Sequence, residues 1–302
     1  MKEFINKLQN HIPSEILRLN EPMSEHTTFK IGGPADVFCM PQTKEQLQTI
    51  LQACRENSVE FHVVGNGSNL LVSDSGIRGA VIQIGKNMSA IKVAGNIICA
   101  EGGALMSTVA NAALKQSLTG LEFASGIPGT MGGGACMNAG AYDGELKDVI
   151  TAVTALDCSG NIIKLLKEDL QFGYRSSIIQ KENLVVLDVT MALRGGEKDA
   201  IKAKMQDFNA RRKDKQPLEL PSAGSTFKRP PNNFAGKLIM DAQLAGFTIG
   251  DAAVSTKHCG FIVNIGNATC EDVLALIKHI QVVVADKFGV ILESEVKIIG
   301  EQ

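Results

Sequence analysis

Hydrophobic positions along this chain change their period several times, and each change marks an element. Thr43 opens the pattern Thr-Lys-Glu-Gln, a capping box, and Leu47, Ile50, Leu51 and Cys54 follow at helical spacing, predicting a helix that ends near Asn57. Phe61-His62-Val63-Val64 reads as a short buried strand that runs straight into Gly65-Asn66-Gly67-Ser68-Asn69-Leu70-Leu71. Ala80 to Ile84, Ile91 to Ala94 and Ile97 to Ala100 read as further strands, the last two joined by Gly95-Asn96 as a hairpin. Ala104 to Gln116 has helical composition, and Ala152 to Leu156, Ile162 to Leu166 and Leu184 to Met191 are strand-like, with Ser159-Gly160-Asn161 turning between the first two. Past Gly195-Gly196 a charged helix runs toward Arg211-Arg212-Lys213, so a domain boundary is expected near 196 to 205. Helices are expected at Asn233 to Gln243 and at Cys270 to Lys287, the second capped by Thr269 with Asp272 in its first turn. A strand from Val296 to Ile299 closes the series.

A chain of 302 residues is long enough for two or three domains with real cores. Hydrophobic residues at 44% and charged residues at 21% are ordinary for a globular protein and leave no role for disorder. Thirty Lys plus Arg against 32 Asp plus Glu gives a net charge of −2, which excludes a globally basic surface for nucleic acid. The seven cysteines stand singly, with no C-x-x-C pair and no Cys/His spacing for zinc, so they read as buried thiols and no metal is expected. Their odd number fits a reducing cytosol. The start Met-Lys-Glu-Phe-Ile-Asn-Lys-Leu has no apolar h-region and no long apolar run follows, so a cytoplasmic protein with no membrane partner is expected. The oligomeric state is open, and a monomer is compatible with all of this.

Glycine is the feature that composition does not explain. Seven of the nineteen positions from Gly126 to Gly144 are glycine. Glycine loses more conformational entropy on folding than any other residue, so such a run is kept where the chain must turn or where a ligand approaches its amides. A flexible linker is the alternative, but Ile127, Pro128, Met131, Cys136, Met137 and Tyr142 interrupt the run. Gly65-Asn66-Gly67-Ser68-Asn69-Leu70 has leucine where a Rossmann loop has its third glycine and leads into strand-like residues, and Ala135 stands where a P-loop requires lysine. What remains is two loops able to form a nest of N–H donors around a pyrophosphate. The expected cofactor contacts are Gly65, Asn66, Gly67, Ser68, Asn69 and Leu70 in one loop, and Ser125, Gly126, Ile127, Pro128, Gly129 and Thr130 in the other, followed by Asn138 and Gly140. Ser68, Asn69, Ser125, Thr130 and Asn138 either donate to that ligand or bond their own backbone as turn residues. Together the loops favour a dinucleotide such as FAD.

Three further segments carry polar groups of catalytic type. Arg175, in Tyr174-Arg175-Ser176-Ser177, sits at a loop-to-strand edge and has the planar fork that matches a carboxylate, or else a surface ion pair. Pro221-Ser222-Ala223-Gly224-Ser225 packs small residues before a serine; Gly224 would let a substrate reach Ser225, which is otherwise a turn hydroxyl. No G-x-S-x-G elbow is present, so a hydrolase triad is not indicated. Leu292-Glu293-Ser294-Glu295-Val296 alternates, which places Glu293 and Glu295 on one face, toward a cleft or toward solvent.

Taken in order, Thr28-Phe29-Lys30-Ile31-Gly32-Gly33-Pro34-Ala35, Gly65 to Leu71, Gly126 to Thr130, Asn138 to Tyr142, Tyr174-Arg175, Ala223 to Lys228 and Leu292 to Val296 resemble the UDP-N-acetylenolpyruvoylglucosamine reductase family over nearly the whole chain. The resemblance implies an α+β protein: an FAD-binding domain of the vanillyl-alcohol-oxidase type in two subdomains, 1–84 and 85–200, and a substrate-binding domain, 201–302. It implies FAD and NADPH as cofactors and a UDP-sugar as substrate, in the peptidoglycan precursor pathway. By position in the motifs, Arg175, Ser225 and Glu295 fall on the family's catalytic residues, and Tyr174, Lys215, Arg229 and His258 on substrate-contacting positions. The chain has no tyrosine after Tyr174 and so resembles the shorter, second class, which lacks the tyrosine-bearing insertion. Arg229 and His258 replace the asparagine and glutamine of the first class; Arg229 would make up lost diphosphate contacts, whereas His258 is either a contact or a packed histidine. An oxidase of the same flavin superfamily and a non-catalytic nucleotide-sugar binding protein are the competing readings.

Overall fold

A computed structural model describes residues 1–301 and divides into two compact units, neither made of one continuous segment. The first comprises Met1–Arg18, Val37–Asn66 and Ala80–Arg212; the second comprises Leu19–Asp36, Gly67–Gly79 and the chain from Lys213 onward. This differs from the expected consecutive segments 1–84, 85–200 and 201–302. Residues 67–79 fold with the C-terminal part because Leu70–Val72 pairs in parallel with Lys297–Ile299, a long-range ladder that no local pattern reveals.

In the first unit, helix α1 (Lys2–His11) and helix α2 (Lys44–Glu56) bury Phe4, Leu8, Leu47, Ile50 and Cys54 in one cluster with Val37, Cys39, Ala80 and Ile82. Half of the expected capping box forms on α2. Thr43 Oγ1 accepts from Gln46 N at 3.2 Å, but the Gln46 side chain reaches past the cap to Gln42 N. Strand Phe61–Val64 lies parallel to strand Ile77–Gln83, in register Phe61 to Ala80, and delivers the chain to the first glycine loop. A second cluster sits on a five-stranded antiparallel sheet ordered Ile162–Leu166, Ile150–Leu156, Val185–Ala192, Ile97–Glu101, Ile91–Ala94. Its last two strands form the predicted hairpin, with Gly95 at φ +57. Helix α3 (Met106–Lys115) and the short α4 (Met131–Cys136) pack on this sheet through Met106, Val109, Met131 and Ala135, and a one-turn α5 (Ile178–Lys181) adds Ile179. The charged helix α6 (Lys198–Lys215) runs through the boundary expected near 196 to 205, and the units divide after Arg212.

The second unit places α7 (Ala235–Asp241) and α8 (Cys270–Phe288) in one core with Phe29, Leu71, Phe227, Ile262 and Val296. The orphan amides at the start of α8 are fully used. Thr269 and Asp272 form the reciprocal box at 3.1 and 3.0 Å, and the Asp74 carboxylate accepts from Cys270 N and Glu271 N at 2.8 and 3.1 Å. All seven cysteines are free. Burial pushes the thiols of Cys39 and Cys54 up to about 12, but Cys158 is exposed in the turn after Asp157, which corrects its reading as a buried thiol. Among the described residues no helix is long and apolar enough to cross a membrane.

Candidate active site

Within the first unit the start of one glycine loop meets the other. Asn66 Nδ2 donates to Pro128 O at 2.6 Å, and a Cβ on Gly65 would stand 2.4 Å from Thr130 Oγ1. Glycine is therefore required at 65 by the approach of the second loop. The glycines that follow have a different reason. Added Cβ atoms at Gly134, Gly140 and Gly144 would lie 2.8 Å from Leu146 Cδ1, 2.6 Å from Gly144 O and 2.6 Å from the Phe123 ring. Close packing is a sufficient reason for glycine at these three positions.

Side chains expected as cofactor donors are mostly committed to the protein. Thr130 caps α4, its Oγ1 accepting from Gly133 N at 3.3 Å. Ser125 Oγ donates to Asn209 Oδ1 at 3.5 Å, and Asn69 Nδ2 donates to Glu295 O at 3.1 Å. Asn138 is fully buried: Nδ2 donates to Glu145 Oε2 and Gly173 O at 3.1 and 3.0 Å, and Oδ1 accepts from Lys147 N at 2.9 Å. Both Nδ2 hydrogens of Asn138 are taken up within the protein, as the turn-residue reading of this side chain requires. It is a turn-anchoring residue.

Sequence reasoning missed Arg212. It lies on α6, where Nη1 donates to Gly126 O, and its Nε is buried with no hydrogen-bond partner among the described residues. Burial lowers its pKa, and a hydrogen bond to the Tyr142 hydroxyl works the other way. Its neighbour Arg211 forms a surface pair with Asp207 at 2.7 Å, so the doublet is divided between two helix faces. The doublet was legible, but the inward turn of its second member was not. A buried guanidinium nitrogen with spare donor capacity beside the Gly126 loop fits an acceptor-rich ligand such as FAD.

Arg175 stands at the tip of a two-residue turn closed by Gly173 and Ser176, whose N–H groups donate to each other's carbonyls at 3.0 and 3.4 Å. Positive φ at the second tip residue alone, +53, makes this a type II turn with arginine where glycine is usual, at a cost of about 1 kcal/mol. Asn138 holds Gly173 at one end, and the Ser177 hydroxyl donates to Cys136 O at 2.6 Å at the other. The guanidinium lies 5.1 Å from the centre of the exposed Tyr174 ring and donates through Nη2 to Gly140 O at 3.3 Å.

In the second unit an isolated antiparallel bridge between Phe227 and Ser294 brings the serine and glutamate segments side by side. Glu295 N donates to Thr226 O at 2.8 Å, so Glu295 sits across from the residue that follows Ser225. Thr226 is buried and held on two further sides: its N–H donates to Gly260 O at 2.8 Å and its Oγ1 accepts from Ile262 N at 3.0 Å. Ser225 itself is exposed, its hydroxyl bonded to no protein group among the described residues, and Gly224 at φ +78 has open space where a Cβ would stand. Glu293 is a mostly exposed surface charge paired with Lys228 at 2.9 Å, whereas Glu295 is partly buried. Regular strand pairing begins only at Lys297, after the alternating segment.

Of the expected substrate contacts, Lys215 is exposed at the end of α6, and Arg229 is exposed with its guanidinium 4.0 Å from the centre of the Phe234 ring. His258 is half-buried against Phe261 in an edge-on contact, and its Nδ1 accepts from Gly260 N at 3.1 Å. Burial lowers its pKa, so the ring is neutral with hydrogen on Nε2, which leaves one donor.

Known protein families match the chain in two segments. Residues 35–166 match the FAD binding domain family, and residues 216–299 match the C-terminal domain of UDP-N-acetylenolpyruvoylglucosamine reductase. At 16% identity and a TM-score of 0.50 over 65% of this chain, the glucose dehydrogenase Phl p 4.0202 shares the fold alone. The protein is an FAD-binding oxidoreductase of mixed α and β structure. Curated UDP-N-acetylenolpyruvoylglucosamine reductases of Caldanaerobacter subterraneus subsp. tengcongensis and Clostridium novyi are 52% and 51% identical, over 99% and 98% of this chain and 98% and 96% of theirs. The solved reductase of Thermus caldophilus superposes with a TM-score of 0.80 at 34% identity, covering 93% of this chain and 97% of that one. The chain belongs to the UDP-N-acetylenolpyruvoylglucosamine reductase family.

Gly65→Ala tests the meeting of the two loops. A Cβ forced against Thr130 Oγ1 is expected to cost about 1–3 kcal/mol, or about ten- to a hundredfold in FAD affinity if the loops part. Visible flavin absorbance per mole of purified protein measures this. Full retention of flavin would show that the approach of the loops is not needed for binding.

Proposed function

We propose that this protein uses NADPH to reduce the enolpyruvyl ether of UDP-N-acetylglucosamine to UDP-N-acetylmuramate, a cytoplasmic step of peptidoglycan precursor synthesis, with Arg175, Ser225 and Glu295 as its catalytic residues. The observation that carries the reading is the Phe227–Ser294 bridge, which sets the segment of an exposed serine, Ser225, beside the segment of a partly buried glutamate, Glu295, in a chain with an FAD-binding domain. FAD, when bound, supplies hydride taken from NADPH to the terminal vinyl carbon of the substrate. The π electrons of the vinyl bond then move to the carbon next to the carboxylate, which takes on enolate character. Arg175, pre-set by its turn, stabilises this charge more in the transition state than in the ground state. Ser225 gives its proton to that carbon, because an enolate carbon is basic enough to take a proton from a hydroxyl. Glu295 orients the hydroxyl and shares in resupplying its proton. Tyr174, Lys215, Arg229 and His258 bind the UDP-sugar; the Arg229 guanidinium and the His258 Nε2–H are donors suited to its diphosphate and carbonyl oxygens.

Anaerobic half-reactions test the assignment. The purified protein is expected to show flavin absorbance, to bleach with NADPH, and to regain its colour only when the enolpyruvyl UDP-sugar is added. Failure to recover with that substrate, together with rapid recovery on an alcohol or free sugar plus oxygen, would remove the assignment.

A further inference from the structure

Four segments of the second unit are closed into a ring by hydrogen bonds. Thr28 N donates to Gly67 O at 3.2 Å, and the Thr28 hydroxyl donates to Ser222 O at 2.7 Å. Beyond Ser225 the ring continues where Thr226 O accepts from Glu295 N at 2.8 Å. Glu295 O then accepts from Asn69 Nδ2 at 3.1 Å, which returns to the glycine loop close to Gly67. Every group in the circuit is main chain except two, the Thr28 hydroxyl and the Asn69 amide. Its starting point has no slack: Gly67 is at φ +63, and a Cβ there would stand 2.0 Å from His26 O. The threonine segment is also held from behind, with Thr27 Oγ1 donating to Ile31 O at 3.1 Å and Asn264 Nδ2 donating to Phe29 O at 3.3 Å.

We propose that Thr28 and Asn69 are positioning residues for the proton-delivery step, fixing the serine and glutamate segments relative to the glycine loop. The proposal rests on Ser225 as the proton donor. Thr28 grips the serine segment three residues before Ser225, and Asn69 grips the glutamate segment at Glu295 itself. Either side chain holds its catalytic segment by one hydrogen bond to a main-chain carbonyl, a contact of modest worth to folding. Placement of a proton donor is a steeper matter: displacement by about 1 Å costs on the order of a hundredfold in rate. The two side chains therefore matter more to the chemical step than to stability.

The test uses flavin-loaded Thr28→Val, Thr28→Ser, Asn69→Ala and Ser225→Ala proteins, followed through both half-reactions. Thr28→Val is expected to keep its FAD and its rate of reduction by NADPH, while reoxidation by the enolpyruvyl UDP-sugar slows about ten- to a hundredfold. The solvent deuterium isotope effect on reoxidation is expected to rise as proton transfer becomes more limiting. Thr28→Ser, which keeps the hydroxyl, is expected to restore both. Asn69→Ala, at an expected cofactor contact, is read on reoxidation alone: that step is expected to slow and its solvent isotope effect to rise, whatever the change in FAD retention, and the variant serves as the independent link if Thr28→Val does not fold. Parent-rate reoxidation in Thr28→Val and Asn69→Ala, equal slowing of both half-reactions in Thr28→Val, or no rescue by serine would overturn the proposal. If Ser225→Ala itself reoxidises normally, the assignment of Ser225 has failed; if it collapses while Thr28→Val does not, the ring alone is refuted.

Discussion

Ser225→Ala is expected to leave flavin reduction by NADPH close to the parent rate and to slow reoxidation by the enolpyruvyl UDP-sugar by about 10³- to 10⁴-fold, the scale of a lost general acid. The variant removes one oxygen from an exposed position whose backbone is held by its neighbours. Thr226 bonds to Gly260, Ile262 and Glu295, and none of these contacts involves the Ser225 hydroxyl. Its fold and flavin content should therefore be those of the parent. This separates the two halves of the cycle, because only reoxidation requires a proton to reach carbon. Stopped-flow traces of flavin absorbance give both rates from one preparation. Equal rates in variant and parent would take Ser225 out of the chemistry and leave its loop as a structural turn.

Arg175→Gln is expected to lower the reoxidation rate by about 10²- to 10³-fold, corresponding to about 3–4 kcal/mol of transition-state stabilisation. Arg175→Lys restores only part of this, since an ammonium carries the charge without the two-pronged fork. Arg175→Gly is the sharper variant. At φ +53 the arginine backbone is strained by about 1 kcal/mol, and glycine relieves that strain while adding a similar entropy to the unfolded chain. Folding stability is thus expected to stay within about 1 kcal/mol of the parent while substrate-driven reoxidation fails. A denaturant titration alongside the half-reaction distinguishes the two effects. Turnover by Arg175→Gly at the parent rate would show that the arginine does not meet the developing carboxylate charge.

Much of the fold was legible because its signals are local. Apolar spacing located α2 and α8, the Thr269–Asp272 box marked where α8 begins, and Gly95-Asn96 marked the hairpin. The failure of the Rossmann and P-loop tests was also correct guidance, since the glycine loops belong to an FAD-binding domain of another kind. What misled was composition read without depth. The run from Gly126 to Gly144 looks uniform, but its first part meets Asn66 and Arg212, while Gly134, Gly140 and Gly144 are small because Leu146, a neighbouring carbonyl and Phe123 press against them. Asn138, in the same run, spends both amide hydrogens on Glu145 and Gly173. A polar side chain in a glycine run has the same sequence signature whether it faces a cofactor or, as here, is buried beneath the Arg175 turn.

The sequence by itself determined which chemistry this protein has the groups for. It carried the amide-rich loops, the arginine fork, the accessible serine after Gly224 and a pair of glutamates, because side-chain chemistry and backbone permissiveness are properties of residues. Only the tertiary structure decided between equivalent candidates. Glu293 and Glu295 share one alternating pattern, yet the Glu293 carboxylate pairs with Lys228 at the surface while Glu295 is partly buried, its main-chain N–H bonded to Thr226 O. Arg211 and Arg212 are adjacent, yet one faces Asp207 and the other is buried beside Gly126. The ring through Thr28 and Asn69 has no local signature at all. Such choices depend on which carbonyl a distant segment presents, and that is set by packing between parts of the chain far apart in sequence.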